Sequence, residues 1–164
     1  MGNSITTIQK LSFENIQKII ISKQHFSSTS ATLATSASYI YSNYHNSNNH
    51  LILFINTLPF NEQDCIITGT FPAFQEEQEI NRILESAQRN EYKIVIYGKN
   101  SNDETLIKKY TQLYKLGFLQ NQIYVYMGGM FEWLLLQDIY GEKEFPTTKK
   151  ELDILKFRPS LISL

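Results

Sequence analysis

The chain holds one cysteine, Cys65, so no disulfide can form within it, and at 164 residues it needs none. A domain of that length buries roughly 70% of its unfolded surface around a single core. Both features point to a reducing, cytoplasmic setting. Neither sign of charge is in excess: fifteen Lys and Arg against sixteen Asp and Glu leave a formal charge of −1, with the basic residues scattered along the chain. That excludes the basic stripe of a nucleic-acid-binding protein. No apolar run approaches the ~18 residues of a membrane span, and no signal-peptide core is expected at the N-terminus. The three histidines, His25, His45 and His50, match no zinc-ligand spacing, and no cysteine lies among them, so neither metal nor cofactor is expected.

What the sequence does contain is punctuated alternation. SFENIQKIII (12–21) sets Phe13, Ile16, Ile19 and Ile20 near one helical face, with Ser12 as N-cap and a small strand expected over 8–11. Residues 22–50 are rich in Ser, Thr and Asn and lack periodicity, which reads as a long loop or insertion; Leu33, Tyr39, Ile40 and Tyr44 are the apolar members that would pin it to the body. LILFI (51–55) is a continuous apolar run suited to a strand covered on both faces, and CIITGTF (65–71) is read as a further short strand. Residues 75–90 place Ile80, Ile83, Leu84 and Ala87 at helical spacing behind an acidic first turn. KIVIY (93–97) is again a buried strand, followed by a polar turn and a helix bearing Leu106, Tyr110, Leu113 and Tyr114 on one stripe, which Gly117 ends. QIYVYM (122–127) is read as the last strand, and MFEWLLLQDIYG (130–141) as a nearly all-apolar helix after Gly128 and Gly129. The tail, 142–164, offers Thr148 and Glu151 as a capping box for a final short helix. Strands alternating with helices imply a mainly parallel sheet with helices on both faces.

Five stretches together resemble a rhodanese-like domain: SFENIQKII, LILFINTL, CIITGTFPA, IVIYGKNSNDET (94–105) and YVYMGGMFEWLLL. The resemblance covers most of the chain. It implies a single α/β domain over 1–164, with a five-stranded, mainly parallel sheet, an insertion at 22–50 and a C-terminal extension at 142–164. NTLPFNEQDCIITGT and GGMFEWLLLQDIYG look like rhodanese-like proteins of protists or of large DNA viruses that infect them. In active members a cysteine ends the strand, and inward backbone N–H groups lower its pKa and hold a persulfide. Here that position is Gly98. The rest of the loop reads Lys99, Asn100, Ser101, Asn102 and Asp103, and Asp103 stands where an Arg commonly holds the substrate anion. Asn56-Thr57-Leu58 replaces the family's Asp-x-Arg.

The expectation is a catalytically silent domain that binds protein partners in an assembly, its residual capacity being anion or peptide binding on the loop's N–H groups. The alternative is a divergent sulfurtransferase using Cys65, or an anion-handling enzyme built on the 98–103 loop. Beside Ile66 and Ile67, however, that cysteine reads as a small buried hydrophobe. MGNSIT matches the N-myristoylation pattern at Gly2. One acyl chain, with only Lys10 nearby, would give reversible membrane contact.

Overall fold

The computed structural model describes residues 7–27 and 51–162. Among these residues the sheet has four strands, all parallel, in the order β1-β4-β3-β2: β1 (Gln9–Leu11), β2 (Leu51–Asn56), β3 (Tyr92–Tyr97) and β4 (Ile123–Tyr126). Among the same described residues four helices flank it: α1 (Phe13–Ser27), α2 (Glu76–Glu85), α3 (Glu104–Lys115) and α4 (Gly129–Tyr140).

Alternate strand residues point to opposite faces, and two separate cores follow from that. Ile52, Phe54, Val95, Tyr97 and Tyr126 meet Ile16 and Ile20 of α1 and Met130, Trp133 and Leu134 of α4 on one face. On the other, Leu53, Ile55, Ile94, Ile96, Ile123 and Val125 meet Ile80 and Ile83 of α2 and Leu106, Tyr110 and Leu113 of α3. Continuous apolar runs such as LILFI are what a strand covered on both faces requires.

The expected fifth strand does not form. Gly69, at φ 88°, and Pro72 break the 65–71 run, while the Thr70 hydroxyl donates back to the Ile67 carbonyl (2.6 Å). The segment wraps the outer edge of β2 instead. Cys65 and Ile67 lie in one core and Phe71 in the other, the Phe71 N–H donates to the Phe54 carbonyl (2.6 Å), and Ile67 forms a lone antiparallel bridge with Thr147. That wrap accounts for the burial of every residue of β2 although it is an edge strand.

Two further expectations are corrected. The first helix continues to Ser27, so the start of the stretch read as loop is helical; 28–50, with Leu33, Tyr39, Ile40, Tyr44, His45 and His50, lies outside the described residues, as do Gly2 and the rest of the myristoylation pattern. Thr148 and Glu151 do not form a capping box. The Thr148 hydroxyl accepts from the Ile66 N–H and donates to the Asp64 carbonyl (both 3.1 Å), and Glu151 accepts from the Asp153 N–H and pairs with Lys156, leaving a single 3₁₀ turn, Ile154–Phe157.

The start of α1 and the end of α3 follow the sequence, whereas α2 stops at Glu85 and leaves Ala87 outside the helix read over 75–90. Ser12 precedes α1 and its N–H donates to the Asn15 side chain (2.9 Å), as a cap-box partner at the third helical position does. Past α3, Gly117 at φ 105° lets Phe118 N–H reach the Leu113 carbonyl (3.2 Å) and Gly117 N–H reach that of Tyr114 (3.1 Å), closing a Schellman turn.

Candidate functional site

The carboxyl ends of β2 and β3 bring Thr57 and Gly98 together, and the 98–103 loop joins β3 to α3 there. Asp103 is the N-cap of α3: its Oδ1 accepts from the Thr105 N–H (3.0 Å) and hydroxyl (2.6 Å). Its second oxygen, Oδ2, accepts from the Lys99 N–H (2.8 Å), so one carboxylate ties both ends of the loop. The Thr105 hydroxyl also lies 2.7 Å from that of Thr57. Within the loop, Asn100 Oδ1 accepts from the Asn102 N–H (2.9 Å), and the Asp103 N–H donates to the Asn100 carbonyl (3.2 Å). The amides of Lys99, Asn102 and Asp103 are therefore all engaged from inside the loop.

Gly98 is small because its surroundings are full. A Cβ built there falls well inside contact distance of Asp103 Oδ2 and 2.8 Å from Thr57 Oγ1. Behind it, Gly129 at φ 62° lets α4 abut the loop, and a Cβ there would sit 2.5 Å from the Gly98 carbonyl oxygen. The first amides of α4 are directed at the same loop: Met130 N–H donates to Gly98 O and Phe131 N–H to Lys99 O (both 3.0 Å). Asn100 is buried, and its Nδ2 donates to the Phe157 carbonyl (2.9 Å), so the tail holds the loop from the other side. Lys99 Nζ lies 3.1 Å from the Glu62 carboxylate, while Ser101 and Asn102 face solvent. Of these partners, Glu62 and Phe157 carry no sequence signal; they are far from the loop along the chain and meet it only through the fold.

Cys65 sits elsewhere. It is buried in the core shared by α1 and α4, and its Sγ donates to the Lys149 carbonyl (3.1 Å). Burial pushes its thiol pKa up, away from the thiolate that attacks sulfur or holds it. Tyr97, fully buried at the end of β3, has its hydroxyl 2.7 Å from Thr70 Oγ1 and accepts from the Ile67 N–H (3.1 Å); burial raises its pKa, and burial followed by the Glu132 carboxylate raises that of Tyr126. A group whose native pKa is raised binds protons more tightly folded than unfolded, so its contribution is complete below the unfolded value and is lost as pH climbs. Unfolding free energy should hold to about pH 8 and then fall through the ordinary thiol and phenol ranges near ~8.5 and ~10. Urea titrations at stepped pH check this, and a profile level to pH 11 would contradict it.

The geometry defines an α/β domain whose parallel strands deliver a strand–loop–helix turn to their carboxyl ends, with the loop backed by a glycine-opened helix. The chain matches the Rhodanese-like domain family over residues 47–136, more than half its length, and belongs to that family. No curated protein and no solved structure matches it. Among the described residues no helix is long and apolar enough to cross a membrane.

Proposed function

We propose that this is a catalytically silent rhodanese-like domain, a binding or structural subunit of a larger assembly. One observation carries the reading: the seat beside Gly98 is occupied by the chain's own Asp103 carboxylate, which accepts the Lys99 N–H and, with Thr57, would have to move aside for a side chain at 98. A fixed carboxylate repels a thiosulfate or persulfide anion and satisfies a donor such an anion would need. Myristoylation of Gly2 would add reversible contact with a membrane face, in the cytoplasm or in a virion or organelle assembly. Use of Cys65 by a divergent sulfurtransferase is disfavoured by its burial and by its bond to the Lys149 carbonyl.

Purified protein should show no turnover of thiosulfate with cyanide. Turnover that disappears in Cys65→Ser would overturn the proposal. Gly98→Cys alone should remain unloaded by thiosulfate, because the new Cβ meets Asp103 and Thr57. Combined with Asp103→Ser, which removes the carboxylate and keeps an N-cap, it should gain one sulfur atom by intact mass.

A further inference from the structure

We draw no further inference here: the strongest candidate, the exposed apolar surface patch of Leu135 and Ile139, one turn apart on the outer side of α4, carries nothing because nothing in the structure shows what covers it.

Discussion

Phe157→Ala should destabilise the domain by about 3–5 kcal/mol in urea unfolding, the range for truncating a fully buried aromatic. Phe157 has no exposed surface and packs in the core formed by Trp133, Tyr126 and Met130, although it lies outside the family match at 47–136. The effect should extend beyond stability. Its carbonyl receives the Asn100 Nδ2, and the preceding tail is fastened on both sides: Trp133 Nε1 donates to Pro146 O (3.3 Å), Gln137 Nε2 to Phe145 O (2.6 Å) and Thr68 N–H to Pro146 O (3.1 Å). Loosening the last turn should free the Asn100 amide and raise hydrogen exchange at 99–103. Leu155→Ala, at a neighbouring residue of the same turn that is largely exposed, is the control and should change unfolding by less than about 0.5 kcal/mol. A small loss for Phe157→Ala, comparable to that control, would mean that the tail is an appendage and not part of the loop's support.

Gly129→Ala should cost about 2–4 kcal/mol, a large effect for adding one methyl group. Two terms act together. The residue has φ 62°, where a Cβ is strained by about 1–2 kcal/mol, and the new methyl would be 2.5 Å from Gly98 O and 3.0 Å from Asn100 N, both backbone atoms that cannot rotate aside. Relief requires α4 to back away from the loop, which breaks the bonds from Met130 and Phe131 to Gly98 and Lys99. Gly141→Ala is the informative comparison: φ is 97° but no atom lies within 4 Å of the added Cβ, so it should cost only the backbone strain. A loss for Gly129→Ala no larger than the about 1–2 kcal/mol of backbone strain would show that close packing of helix on loop contributes nothing.

Gly129 also shows how far reading the chain in order can go. Gly128 and Gly129 stand out in the sequence as a break before an apolar helix, and they are one. That the second glycine is needed so a helix can press on a loop thirty residues earlier appears only when the two are brought together. The same holds at the loop itself. Strand, turn and helix over 94–105 follow from β-branched spacing, from Asn and Asp in the turn and from the helical stripe of Leu106, Tyr110 and Leu113. Gly98 and Asp103 are legible there as residues in unexpected places. Their relation is not, because only the curled loop puts the carboxylate of one where the side chain of the other would go. CIITGTF misleads for a related reason: its apolar content is that of a strand, but Gly69 and the Thr70–Ile67 bond fold it round the sheet edge, where half serves one core and half the other.

By itself, then, the order of residues determined the class: parallel strands alternating with helices, two covered faces, helix ends at Ser12 and Gly117, and a loop lacking sulfur. Those properties depend on local periodicity and backbone preference, which are carried by neighbours in the chain. Tertiary structure alone decided that the loop's seat is filled by Asp103 and Thr57, that Lys99 faces Glu62, that the tail anchors Asn100, and that Cys65 is withdrawn into the core. Each of these is a contact between distant segments. Such contacts are set by how the two cores close on the sheet, and no spacing along the sequence encodes them.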